Sequence, residues 1–421
     1  MSLKKTLKNI GPGLLFASTA IGTSHLVLST RAGAHHGMIF LGIILGALVL
    51  KYPFYEFGPR YANATGYSLL KGYRDQGLWT IILFTVVVFI SMFAVVGATA
   101  AVSAGLLSTM LGFSGISIPM LAGCILLVTI VLLLAGGYAG LDRFIKLISI
   151  ILLVTVFTAF IAVLLKGAME PVKGFIAPSL LEGAGLTLLV GLLGWMPSGM
   201  EASTMNSLWV VEKIRSSNYH PTLKESLLDF NIGYVFTIVL ALLFLTIGAF
   251  SVYGTGQLLE GNATQFSNKL LNIFTGNIGQ WAYPIIAIAS FGTIYGTLVT
   301  ILDAFPRSFI GGLRALKFKE ISKNDEQQKF LDKAYKICVV VVGVGSFLLF
   351  YLSAASMIKI LEVATIISFL GAPIIGFMNL RAVQSAAVPV SHRPPKWMLI
   401  LAYLGLLSMV GFAIYYLSTL L

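Results

Sequence analysis

Apolar residues run in long unbroken stretches along this chain, and polar residues are confined to short segments between them. A helix needs about 20 such residues to cross the hydrocarbon layer of a bilayer. Runs of that kind fall near 10–30, 36–57, 78–111, 117–138, 143–166, 184–210, 228–253, 280–304, 334–353, 355–380 and 397–420, which predicts eleven spans. The third is long enough to lie tilted. Lys and Arg then set the orientation, because short cytoplasmic loops retain them. Lys4, Lys5 and Lys8, the segment Lys51 to Arg74, Arg143 with Lys146, Lys213 to Lys224, Arg307 to Lys336 and Arg381 to Lys396 lie on alternate loops and hold 23 of the 28 basic residues. The opposite side holds Arg31, Lys166, Lys173, Lys269 and Lys359. The expectation is a cytoplasmic N-terminus and an outer C-terminus in a bacterial inner membrane, and eleven is the parity that keeps this alternation clean.

Composition removes most other classes. The chain of 421 residues is 57% hydrophobic and 10% charged, and its mean hydropathy is +0.92. A soluble domain carries about 25% charged residues, so nothing here would coat a soluble surface. The net charge of +12 is accounted for by topology and does not call for nucleic acid. Cys124 and Cys338 both sit inside apolar runs, with no disulfide framework and no metal-ligand spacing. The basic start leads into a long span without a small-residue cleavage site, so no removable signal is expected. No nucleophile–base set, phosphate loop or dinucleotide pattern is present, so an enzyme is not expected and neither is a cofactor. The partners implied are the lipid bilayer and a small solute or ion.

Two spans depart from uniform apolarity. The first opens with Gly11-Pro12-Gly13 and reads Gly22-Thr23-Ser24-His25 at mid-depth; the sixth reads Met196-Pro197-Ser198-Gly199-Met200-Glu201. They lie five spans apart. An inverted five-plus-five repeat predicts that spacing, with a substrate held between two broken helices at the membrane midplane. Unwound backbone at that depth is tolerated where it lines a cavity. Glycine-kinked packing helices are the simpler alternative.

These segments resemble the NRAMP family of metal transporters, within the amino acid–polyamine–cation superfamily that shares the LeuT-like fold. The resemblance is carried by Gly11-Pro-Gly-Leu-Leu, Arg31-Ala-Gly-Ala-His-His-Gly, Gly174-Phe-Ile-Ala-Pro178, Met196-Pro197 and Ser290-Phe-Gly-Thr-Ile-Tyr-Gly-Thr297, and runs from about Ile10 to Asn379. It implies an all-α integral membrane transporter. A single domain over 1–421 would hold repeat one at about 10–166, repeat two at about 184–380 and an eleventh helix at about 397–420. The departures are as telling. Where the family carries Asp-Pro-Gly-Asn, this chain has Gly22, Thr23, Ser24 and His25; where it carries Met-Pro-His-Asn, Ser198 and Gly199 follow Met196 and Pro197. The family's acidic positions in span three fall on Ser91 and Ala94, and no acid or base occurs between Asp75 and Asp142.

A divalent cation exchanges its water shell for carboxylate or comparable ligands, and one His with one Met is a poor substitute. The set Gly22, Thr23, Ser24, His25, Met196, Ser198 and Gly199 is rich in donors, and restarted helices would add free N–H groups and positive dipole ends. That pattern suits a small anion or a carboxylate-bearing solute of bicarbonate or amino-acid size. A divalent metal held at a non-standard site is the alternative. His25 is a candidate because intramembrane ionisable residues are usually functional; a neutral ring gluing two helices is the other reading, and Met196 reads equally as packing. Glu201 is a coupling site or an internal partner. Thr293 and Thr297, at i and i+4, share a face and would offer hydroxyls to Na+; H+ through Glu201 is the other coupling ion. Asp303 with Arg307 and Glu56 with Arg60 read as i,i+4 ion pairs, and Glu362 with Lys359 as an i,i+3 pair.

Overall fold

The structure is a computed structural model that describes residues 11–112, 115–135, 138–217, 219–257, 259, 263–318, 325–352 and 357–420, with backbone alone at 138–149, 325, 326, 328, 329 and 357. Lys4, Lys5, Lys8, Lys319 and Lys323, and the side chains of Arg143, Lys146 and Lys329, lie outside the described residues. All described regular structure is helical. Each of the eleven predicted apolar stretches coincides with helix. Among the described residues, seven stretches are long and apolar enough to cross a membrane by length and composition, the first of them (Pro12–Thr65) covering two predicted spans. Three further predicted spans appear as the shorter apolar helices Ile118–Leu134, Ile150–Lys166 and Gly183–Trp195.

The first span is α1 (Pro12–Ala20), a π-helical turn over Thr23–Ser29 and α2 (Thr30–His36). Then follow α3 (Phe40–Thr65), the short α4 (Leu69–Gln76), α5 (Leu78–Leu111), α6 (Ile118–Leu134) and α7 (Tyr138–Lys166). The sixth span is again two pieces, α8 (Gly183–Trp195) and α9 (Ala202–Ser217). After it come α10 (Leu223–Val252), α11 (Ala263–Ile278), α12 (Tyr283–Lys317), α13 (Asp325–Leu352), α14 (Met357–Gln384) and α15 (Lys396–Ser418). At 34 residues, α5 is about 50 Å long, well beyond the roughly 30 Å of hydrocarbon and long enough to span it with a tilt.

Hydropathy did not reveal α4 or α11. Both are amphipathic rather than uniformly apolar. In α11, Phe266, Leu270, Leu271 and Phe274 are buried at helical spacing, which marks a helix lying on the bundle with one polar face.

Span one is packed against α10 at two glycine pairs. A Cβ on Gly13 would overlap the carbonyl of Asp229, and one on Gly233 would overlap the carbonyl of Gly13. Near the far end, Gly33 meets the Leu245 carbonyl and Gly248 the Thr30 carbonyl in the same way. Apolar lipid gives helices little reason to associate through burial, so close backbone approach at small residues carries much of the attraction. Asp229 of α10 adds an electrostatic clamp: its carboxylate accepts from the Gly11 amide at 3.1 Å and the Gly13 amide at 2.8 Å. These are among the N-terminal donors that a helix leaves unpaired.

The Asp303–Arg307 pair forms at 2.8 Å, and Arg60 grips Glu56 through Nε and Nη2. Glu362 of α14 also lies 4.0 Å from Arg31 of α2, a contact between two spans. Lys51 differs. Counted as loop charge from sequence, it lies inside α3 with 3% of its surface exposed.

Two outcomes follow from this packing. Gly33→Val puts methyl groups onto the α10 backbone and should abolish the monodisperse folded protein in size-exclusion chromatography. Gly46→Val, at a position with open space around its Cα, should leave it intact. Asp229→Ala strands two amide donors at roughly 1–3 kcal/mol each, which thermal unfolding in detergent should register as a clear loss of stability.

Candidate substrate site

Both broken spans unwind where sequence placed their polar residues. In span one the chain leaves the helix at Ile21 and Gly22, with Gly22 at φ −132° and ψ −123°, outside both the helical and the extended regions. In span six Met196 is extended at φ −96° and ψ 117°, and helix resumes at Ala202. Gly22 is required by close approach, since a Cβ there would lie 2.5 Å from Thr297 Oγ1.

Intact helices supply what the breaks lack. Thr297 Oγ1 of α12 lies 2.9 Å from the Ser18 carbonyl and 3.5 Å from that of Ile21. Tyr55 of α3 donates its hydroxyl to the Ser198 carbonyl. The Lys51 ammonium donates to the carbonyls of Leu193 at 2.6 Å, Gly194 at 3.2 Å and Met196 at 3.1 Å. The two breaks also touch one another: Ser24 Oγ lies 3.3 Å from the Pro197 carbonyl and 2.6 Å from that of Ala20.

A cavity lies between the breaks, with an empty volume of about 430 Å³ including its opening. Its polar wall is made by Thr19, Thr23, Ser24, Thr99, Ser198 and Thr297, with Glu201 as the ionisable side chain. Val95, Trp195, Met205, Ile301 and Phe305 form an apolar wall. Thr23 Oγ1 is buried and has no hydrogen-bond partner, so it has an unused donor and acceptor at the cavity. The Glu201 carboxylate folds back over the start of α9 and fills the space where a Gly199 Cβ would stand. It meets its own backbone amide, and Ser368 Oγ lies 3.5 Å from Oε1. Ser368 in turn accepts from Trp195 Nε1 at 2.9 Å.

Of the ten residues singled out from sequence, Thr23, Ser24, Ser198, Gly199, Glu201 and Thr297 line this cavity. Gly22, His25, Met196 and Thr293 are turned elsewhere. His25 is fully buried, with Nδ1 2.8 Å from Ser24 Oγ and Nε2 3.0 Å from the Thr237 carbonyl. A carbonyl only accepts, so Nε2 carries a proton. With both nitrogens engaged, the ring ties span one to α10 and presents no lone pair to the cavity. Met196 is fully buried, and its role at the break is its carbonyl. Thr293 Oγ1 donates within its own helix to Ala289 at 2.8 Å.

Sequence reasoning missed Lys51, Thr99 and Met205. Lys51 alone left a signal: a lysine just before the Tyr52-Pro53 step, at the end of an apolar run. The described residues contain no group of three or more His, Cys, Asp and Glu side chains able to hold a metal. Ser91 and Ala94, aligned with the family's acidic positions, are buried on α5. Val95 and Thr99 are the α5 side chains that reach the cavity.

The profile of the Natural resistance-associated macrophage protein-like family, Nramp, matches residues 13–419. An uncharacterized protein of Pasteurella multocida is 32% identical over 414 residues, covering 97% of this chain and 92% of that protein. Among solved structures, a point mutant of a manganese transporter of Eremococcus coleocola superposes with a TM-score of 0.67 at 15% identity, over 99% of this chain and 87% of that one. MhsT in complex with L-phenylalanine gives 0.64 at 13% identity, over 97% and 98%. Mhp1, a nucleobase-cation-symport-1 family transporter, gives 0.57 at 14%, over 97% and 93%. These structures share the fold alone, an all-helical LeuT-like architecture whose first and sixth spans are broken. With the family profile spanning nearly the whole chain, this integral membrane protein belongs to the Nramp family of transporters.

Proposed function

We propose that this chain is a secondary-active transporter of a small zwitterionic solute of amino-acid size, bound between the two breaks. The observation that carries the reading is the cavity's make-up: one carboxylate, Glu201, faces a hydroxyl cluster and a continuous apolar wall. An ammonium group on the solute pairs with Glu201. Its carboxylate takes a hydrogen bond from Thr23, whose hydroxyl has no protein partner. Val95, Ile301 and Phe305 cover its carbon atoms, in keeping with organic-ligand sites that are mostly apolar with a few placed polar groups.

A bare inorganic anion such as bicarbonate fits less well. The start of α9, which would attract an anion through its amides and dipole, is already met by the Glu201 carboxylate. Transition-metal transport lacks its usual donors, since the His25 nitrogens are used inside the protein. A hard divalent cation of the Mg2+ class is the second reading. It is favoured by the oxygen-only polar lining, which is the donor type such ions prefer. Family membership supports it too, and the Eremococcus structure is that of a manganese transporter.

Sodium is the coupling ion we favour. Thr297 Oγ1 sits beside the Ser18 and Ile21 carbonyls freed by the first break, an all-oxygen corner suited to that ion. The charge distribution of the loops supports a cytoplasmic N-terminus in a bacterial inner membrane, with repeats at about 10–166 and 184–380.

Uptake of labelled glycine, alanine and serine into proteoliposomes, run beside dye-reported Mn2+ and Mg2+ entry, tests the reading. Amino-acid uptake without metal entry is expected; metal entry without amino-acid uptake overturns it and leaves the divalent-cation reading. Glu201→Gln should lower uptake at least about tenfold, the scale of one lost charge-assisted contact of 1.5–3 kcal/mol, with the folded fraction unchanged. Thr297→Val should remove stimulation by sodium while sodium-independent binding persists; unaltered sodium dependence would place the coupling ion elsewhere.

A further inference from the structure

Lys51 is a buried charge that neither the cavity nor the coupling corner uses. It projects from the unbroken α3 to the end of α8, where three carbonyls converge on its Nζ at 2.6, 3.2 and 3.1 Å. The last four carbonyls of any helix have no partner within it. Here the final intrahelical bond is Met196 N to Leu192 O at 2.8 Å, so the orphan carbonyls begin at Leu193. Lys51 takes those of Leu193, Gly194 and Met196, and an ammonium has three donors and no acceptor. Donors and acceptors match one for one. The negative end of the α8 dipole adds to the attraction. In lipid, each of these carbonyls left unpaired would cost several kcal/mol.

Such a cluster of converging backbone carbonyls at an unwound membrane helix is also the chemistry that binds a bare monovalent cation. We propose that the Lys51 ammonium is a tethered cation occupying a carbonyl cage at the span-six break, and that removing it leaves a binding site for a free monovalent cation of ammonium or potassium size. The lysine thereby frees this break from dependence on any dissolved ion. The geometry favours a tethered role over a cavity role: the stem comes from an intact helix, the side chain is 3% exposed, and Lys51 does not line the cavity. The inference is independent of the cargo, because the cage lies behind the break and its readout needs no transport.

The test is cation-dependent stability of full-length purified protein. Wild type, Lys51→Met and Lys51→Gln are melted in detergent containing NaCl, KCl, NH4Cl, methylammonium chloride or choline chloride at constant ionic strength. Wild type should not distinguish potassium, ammonium or methylammonium from choline, and any stabilisation by sodium belongs to the Thr297 corner and should be the same in all three proteins. Both variants should melt well below wild type in choline and regain at least half of the loss with saturating ammonium, methylammonium or potassium. Lys51→Gln separates charge from hydrogen bonding, because its amide can reach the carbonyls without a charge. If Lys51→Gln matches wild type in choline, donors suffice and the tethered-cation proposal fails. It fails equally if both variants fold but ignore potassium, ammonium and methylammonium. If neither variant can be purified in any of these salts, the break needs the lysine's own carbon chain rather than a cation, which also overturns it.

Discussion

A broken helix inside a membrane leaves backbone groups that water cannot reach, and the surrounding structure is organised around satisfying them. Asp229 of α10 holds the amides at the start of α1, Thr297 of α12 meets the carbonyls at its end, and Lys51 of α3 takes three carbonyls at the end of α8. Tyr55, one turn beyond Lys51, takes a fourth within the break, that of Ser198. Each partner sits on a helix that is itself unbroken through that position. The division of labour is physical: only a continuous helix can project a side chain to a fixed point without needing help of its own.

That arrangement narrows what the cavity can do. From sequence alone, the ends of four half-helices stand ready as a charge field for a ligand. In the structure most of those ends are already spent on protein groups. What remains at the cavity is a smaller and more specific set, led by the unpartnered Thr23 hydroxyl and the Glu201 carboxylate, backed by the apolar side chains of α5 and α12. The chemistry is that of a small amphipathic guest more than that of a naked ion. Histidine and methionine, the residues best suited to a transition metal, serve the scaffold: His25 bonds span one to α10, and Met196 lends its carbonyl to Lys51.

The fold and the site therefore use the same residues for different ends. Gly22 is small because Thr297 must approach it, and the same approach brings the Thr297 hydroxyl to the Ser18 and Ile21 carbonyls. Gly194 is small because α14 crosses there, where a Cβ would stand 2.5 Å from the Thr365 carbonyl. The Gly194 carbonyl then turns to Lys51. Glycines in these spans mark close approaches of a neighbouring helix or side chain first, and the openings follow from them.

Sequence by itself determined the class of the protein, the helical stretches and the location of both breaks. Hydrophobicity is a property of each residue alone, and Gly, Pro, Ser and Thr at mid-depth carry a cost in lipid that is visible without neighbours. The Asp303–Arg307 and Glu56–Arg60 pairs were legible for the same reason, since four residues along one helix fix their distance. The tertiary structure decided which polar side chains face the cavity. His25 and Ser24 are adjacent in the chain, yet only Ser24 lines it, because rotation about a π-helical turn points the imidazole at α10 instead. Lys51 read as a loop cation until α3 was seen to carry it past the end of α8, a contact 142 residues apart in sequence. No periodicity or composition encodes that distance; it exists only once two helices have packed.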